Sequence, residues 1–289
     1  MKNCKKHFIV ALIVLAMGHF LAPMKACAQV VEFGGTVGLS YYMGDINPSK
    51  PFCQSDLGWG AIVRYYEGTR WAFRFAYSNL QLNGSDEKSG YRPERGLSFK
   101  TNVHDFALMA EFNFFDYFTG SKRNGLSPYL FGGISVFYFN PKALDGKALH
   151  DEITDVEYDK DDNEYKVDYS LVNLSIPFGI GVKYSVNKKL GTALEWRWDL
   201  TFTDWLDDCH AYYPVYKKVN GELPEDYHYG DPSGFLTPDN DGNYTAEYVQ
   251  HGNRYDKDWF GYLNFSLTYK FNLPSGNDCN KRERFKNYD

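Results

Sequence analysis

The adjacent residues His104 and Asp105, with Ser98 six positions upstream, are the side chains that most resemble part of a hydrolase site. Acyl transfer needs a nucleophile, a base and an orienting acid at one point. On an extended strand, neighbouring side chains point to opposite faces, so His104 and Asp105 separate rather than cooperate. Asp204, Asp207 and Asp208, and the acid-rich stretch from Asp151 to Asp162, offer oxygen ligands for calcium. They lack EF-hand spacing and its glycine hinge and read as solvated loop charges. There is no Cys-x-x-Cys pair, His-Glu-x-x-His, phosphate-cradling glycine loop or Gly-x-Ser-x-Gly elbow. Gly34-Gly35 and Gly132-Gly133 fall inside alternating runs, where glycine relieves strand curvature. The expectation is a non-enzymatic chain with no catalytic residue, cofactor or metal ligand.

The amino terminus has a basic start, an apolar run from Phe8 to Met17 and the small-x-small site Ala26-Cys27-Ala28, which predicts a signal peptide over 1–28 cleaved after Ala28. Lipidation at Cys27 is disfavoured by Met24 and Lys25 before it. Cleavage removes Lys2, Lys5, Lys6 and Lys25 and no acid, taking the formal charge from −6 to −10. So acidic a chain is a poor partner for nucleic acid. Of five cysteines, Cys53, Cys209 and Cys279 then remain. An exported protein meets an oxidising compartment, so a Cys53–Cys209 disulfide between two loops on one side is expected. Cys279 is left as a free thiol or for an intermolecular bond.

No later segment is apolar and long enough for a membrane helix, yet aromatics make up 18% of the chain at a mean hydropathy of −0.50. Both values suit strands with one lipid-facing and one polar face. From Val172 to Tyr184 and from Trp259 to Phe271 apolar and polar residues alternate with a period of two. Weaker runs cover Val31–Tyr42, Leu57–Glu67, Arg70–Asn79, Asn102–Phe114, Ser127–Phe139 and Leu190–Phe202. The expected fold is all-β, a transmembrane antiparallel up-and-down barrel of about eight strands over 29–272. Connections 67–70 and 185–189 are tight, whereas 44–56, 82–97, 140–168 and 203–257 are long. With both ends inside, that order puts short turns in the periplasm and long loops outside. Phe115–Leu126 is intermediate and fits least well.

A barrel of this size is filled by its own side chains. Arg64, Arg70, Arg74, Asp105, Glu111, Glu195, Arg197 and Asp199 share the polar face and are expected to pair across the lumen and plug it. Tyr41, Trp71, Tyr129, Tyr138, Trp259, Tyr269 and Phe271 fall near strand ends, as an aromatic girdle would. Beyond the last strand, 273–289 forms a basic periplasmic tail. There Cys279, Lys281, Arg282, Arg284 and Lys286 offer an interface to an acidic partner, or the tail stays disordered.

Several words in combination resemble the PorG-type outer-membrane barrels of the Bacteroidetes type IX secretion system. They are Tyr42-Met43-Gly44-Asp45-Ile46-Asn47-Pro48, Leu97-Ser98-Phe99, Glu111-Phe112-Asn113-Phe114-Phe115-Asp116-Tyr117, Ser127-Pro128-Tyr129-Leu130-Phe131-Gly132-Gly133 with Phe139-Asn140-Pro141, Thr203-Asp204-Trp205-Leu206-Asp207-Asp208 and Leu267-Thr268-Tyr269-Lys270-Phe271. The resemblance implies an outer-membrane component that anchors a periplasmic ring of PorK- and PorN-like proteins. The alternative is a surface barrel whose long loops bind a ligand or stabilise the membrane.

Overall fold

The computed structural model describes residues 30–149, 156–158, 164–166, 169–209, 232–234, 237–238, 244–245, 251–253 and 256–272. The expected signal peptide, the tail with Cys279, Lys281, Arg282, Arg284 and Lys286, and most of 203–257 lie outside them.

Eight long antiparallel strands close into a barrel: β1 (Val30–Met43), β2 (Ser55–Glu67), β3 (Trp71–Ser85), β4 (Ser98–Asn113), β5 (Leu126–Tyr138), β8 (Val172–Ser185), β9 (Leu190–Thr201) and β12 (Trp259–Asn272). Sequence neighbours pair around the wall and β12 closes on β1, with Val30 opposite Asn272 and Met43 opposite Trp259. One mouth, the turn end, therefore holds both strand termini and the connections after β2, β4 and β8. The other, the loop end, holds the four longer connections. These contain a four-residue helix, α1 (Asp86–Ser89), and two small hairpins, β6 (Val156–Tyr158) with β7 (Glu164–Lys166) and β10 (Thr237–Pro238) with β11 (Tyr244–Thr245).

The period of two decides which side faces out. Ile134 is 66% exposed and its neighbour Ser135 only 2%. On β5 the outward row is Leu126, Leu130, Ile134, Val136 and Tyr138, while β4 presents Phe106 and Leu108. Twelve residue steps from Leu126 to Tyr138, at about 3.4 Å each and a tilt of about 40°, span roughly 30 Å, the thickness of a hydrocarbon core. Apolar outside and ionic inside is the arrangement of an outer-membrane barrel and the reverse of a soluble one.

Two strands run beyond their expected ends. β3 continues to Ser85 and β4 begins at Ser98, with Asn79 opposite His104 and Asn83 opposite Lys100. Above Tyr77 and Phe106 the outward residues turn polar, while inward Leu80, Leu82, Phe99 and Val103 stay fully buried. This hairpin stands clear of the apolar belt and its inner face joins a core built by the long connections. Pro177 sits inside β8, and the β5–β8 pairing skips from Gly132–Phe178 to Ser135–Ser175 around it, as expected where a residue brings no N–H.

Candidate functional site

The lumen is filled in three tiers. In the tier nearer the turn end, three cations meet three carboxylates: Arg64, Arg74 and Lys183 with Glu32, Glu111 and Glu195, all nearly inaccessible. Glu111 lies 2.8 Å from Arg64 Nε, 3.0 Å from Arg74 Nε and 2.6 Å from Lys183 Nζ. Arg64 Nη1 reaches Glu32 at 3.0 Å, and Glu195 is held by Arg74 and the Tyr129 hydroxyl. Lys183 Nζ also donates to Asn113 Oδ1 at 2.9 Å and stands 4.3 Å above the Tyr129 ring. Equal numbers of opposite charges with hydrogen-bonding neighbours allow so many ions in a buried space. Further along, Arg197 Nη2 bridges Asp105 and Asp199, at 2.7 Å each, and Ser175 donates to Asp199 at 3.0 Å.

Seven of the eight residues expected in the lumen are therefore brought together there. Arg70 is not. It sits at the β2–β3 turn, where its Nε donates to Asp116 at 2.7 Å in an exposed pair, because the strand begins only at Trp71. Glu32 and Lys183 complete the network; both lie in alternating runs at inward positions, so the period alone marked them. Tyr129 belongs to the lumen rather than the girdle. Tyr41 faces outward but is covered, with Phe52 at 4.4 Å between ring centroids and Trp196 Nε1 donating to its hydroxyl at 2.9 Å. Trp71, Tyr138, Trp259, Tyr269 and Phe271 are exposed on the wall.

The awkward intermediate connection, 114–125, folds into the turn-end mouth. Tyr117 and Thr119 are 1% exposed. The Thr119 hydroxyl donates to Glu32, the Thr119 carbonyl accepts from Lys270, and Gly120, at φ 102°, turns the chain so that its N–H meets Ser185 Oγ at 2.7 Å. This connection is a plug, which explains its length.

At the loop end the third tier is apolar, with Tyr42, Leu82, Phe99, Phe137, Phe139 and Phe260 in one cluster. Arg95 ties the surrounding loops together. Its Nε and Nη2 donate to Asp86 at 2.9 and 2.6 Å, Nη2 to the Asp45 carbonyl at 3.1 Å, and Nη1 to the His251 carbonyl. Beside it stand the half-buried Asp45 and the buried acids Asp204, Asp207 and Asp258. Burial pushes the Asp207 and Asp258 carboxyls well above the usual range, and the Asp45 carboxyl up to about 6. Asp204, Asp207 and Asp208 were expected to be solvated loop charges; the cap that the loops build removes all three from water. Nothing in periodicity marked Arg95 or Asp86.

Cys53 and Cys209 are both free thiols, not a disulfide. Cys53 is exposed beside the Lys88 carbonyl, while Cys209 is buried against Arg95 and His251. His104 and Asp105 separate as the strand geometry requires. His104 Nδ1 lies 3.0 Å from Tyr77 Oη on the outer wall, and Asp105 faces the lumen. Ser98 is six steps, about 20 Å, further along the strand.

The N-terminal β-barrel domain of Pseudomonas aeruginosa OprF is 10% identical, at a TM-score of 0.34, with 84% of this chain and 98% of that chain covered. Ail, the attachment invasion locus protein of Yersinia pestis, is 8% identical at a TM-score of 0.38, with 85% and 100% covered. A major outer membrane protein from Thermus thermophilus is 13% identical at 0.39, with 83% and 99% covered. No curated protein matches the sequence. A family profile described as a domain of unknown function, DUF6089, matches residues 6–231, well over half of the chain, and the chain belongs to that family.

Proposed function

We propose that this barrel is a non-enzymatic outer-membrane component of a type IX protein secretion assembly, docking a periplasmic ring of PorK- and PorN-like proteins. The observation that carries it is the continuous filling of the lumen. Plug, ionic tiers and apolar core leave the molecule its surfaces to act with. Its turn end would face the periplasm, with short turns, the plug connection and the basic tail offered to the ring. The resemblance to PorG-type barrels supplies the kind of assembly.

The test is affinity capture from intact envelopes after crosslinking, paired with gene deletion. The reading expects ring proteins among the crosslinked partners and loss of cargo export on deletion. Normal export with an intact ring would remove it. A second reading is favoured by the folded cap at the loop end, where Arg95 knits three connections: a surface barrel that acts outward. Trimming 210–250 would then impair function, while replacing Lys281, Arg282, Arg284 and Lys286 by Ala would not.

A further inference from the structure

At the loop end, two buried carboxyl groups share one phenol. Tyr42 Oη lies 2.5 Å from Asp207 Oδ2 and 3.0 Å from Asp258 Oδ1. The other oxygen of each is already taken, since the Cys209 N–H donates to Asp207 Oδ1 at 3.0 Å and the Leu206 N–H to Asp258 Oδ2 at 2.9 Å. A phenol has a single proton to give. Once it donates to one carboxylate, the facing oxygen of the other meets only lone pairs unless that carboxyl carries a proton of its own. Arg95, whose field reaches Asp207, is hydrogen-bonded to Asp86 instead. The other charges acting on the pair are negative, Asp45 on the β1–β2 connection and Asp204 on the β9–β12 connection, while burial keeps the neighbouring Cys209 a neutral thiol.

The three groups come from separate places. Tyr42 is the last residue but one of β1, Asp207 stands six residues after β9, and Asp258 immediately precedes β12, so they join both roots of the connection 202–258 to the barrel rim. Gly44 lies against them, where a Cβ would collide with the Asp258 carboxyl and the Tyr42 hydroxyl.

We propose that Tyr42, Asp207 and Asp258 form a proton-dependent latch, which clamps the two roots of the long outer connection to the barrel while one carboxyl is protonated and releases them when that proton leaves. This stands independently of the secretion role. Burial and like charge raise both carboxyls in the closed state. The closed form therefore binds the proton more tightly than an open, hydrated one. Its advantage is complete below about pH 4 and falls about tenfold per pH unit as pH rises towards the closed-state value.

The probe is a maleimide on Cys209, which is 1% exposed when closed, in the mature full chain in lipid vesicles with Cys53→Ser and Cys279→Ser. Labelling rates between pH 5 and 9 are compared with the same protein carrying Asp258→Asn. The carboxamide donates an N–H to the phenol oxygen without titrating, so that variant reports thiol chemistry alone. The expected ratio of rates, parent over variant, is near one at pH 5 and at least tenfold at pH 9; a flat ratio overturns the latch. Infrared difference spectra, the unsubstituted protein minus Asp258→Asn, separate the latch from Asp45, whose carboxyl also holds a proton at pH 5. The difference should show a protonated-carboxyl band at pH 5 that is lost over the pH range in which Cys209 opens, and its absence at pH 5, or its loss without opening, refutes the proposal.

Discussion

Replacing Glu111 by Ala tests the ionic lumen at its centre. Glu111 touches Arg64, Arg74 and Lys183 at 2.6–3.0 Å, and none of these side chains is more than 2% exposed. Truncation leaves three buried cations facing two carboxylates, Glu32 and Glu195. Removing one member of a buried pair costs about 3–5 kcal/mol, because the partner stays charged in a low-dielectric space. That loss should appear in the unfolding free energy from urea titration in lipid vesicles, followed by the slower gel migration of the unfolded barrel. Adding Lys183→Met restores charge balance and should recover about 1–3 kcal/mol through coupling of the two sites. A cost below about 1 kcal/mol, or a double variant as unstable as the sum of the singles, would mean that water screens the lumen and that the filled-barrel argument fails.

Ile134→Arg, on the outer wall, should cost about 2–4 kcal/mol in vesicles, as a charge near the bilayer midplane does; a neutral effect in the same titration would contradict lipid contact. Planar bilayers containing the pure protein should show no stepwise conductance even with Tyr117→Ala and Thr119→Val in the plug, because the ionic tiers and the apolar core still close the lumen. Steady ion currents would refute this. Asp45 accepts the Asn253 N–H at 2.9 Å and its carboxyl is raised to about 6. Its contribution to loop-end stability is thus complete below about pH 4 and lost as pH rises through 6. The protection of the Asn253 amide, its hydrogen exchange corrected for the base-catalysed intrinsic rate, should fall over that interval and stay constant in Asp45→Asn. The denatured protein should bind maleimide at Cys53 and Cys209 without prior reduction; a mass showing them bonded would contradict the free thiols.

Much of the wall was legible because a period of two is a local signal: Val172–Tyr184 announces its two faces without knowledge of any partner. The same signal placed Arg64, Arg74, Glu111 and Glu195 in the lumen and would have added Glu32 and Lys183. It failed where strands leave the belt. On β3 and β4 the outward residues become polar and the inward ones apolar above Asn79 and His104, so the expected ends fell short. Contacts made by loop folding were not readable. Arg95 and Asp86 meet across nine positions of an irregular connection, and Tyr42 shares its phenol with residues 165 and 216 positions away. The Cys53–Cys209 disulfide rested on compartment and loop side, and neither specifies distance or direction.

An outer-membrane barrel of this kind must turn its wall to lipid while its lumen is packed. Nitroxide labels placed one at a time from Phe106 to Phe112 on β4, in the protein reconstituted in lipid, test this directly. Relaxation by oxygen, which partitions into lipid, should be strong at 106, 108, 110 and 112 and weak at 107, 109 and 111, with a water-soluble nickel reagent reaching none of them. Strong nickel relaxation at the even positions, or no alternation, would contradict it.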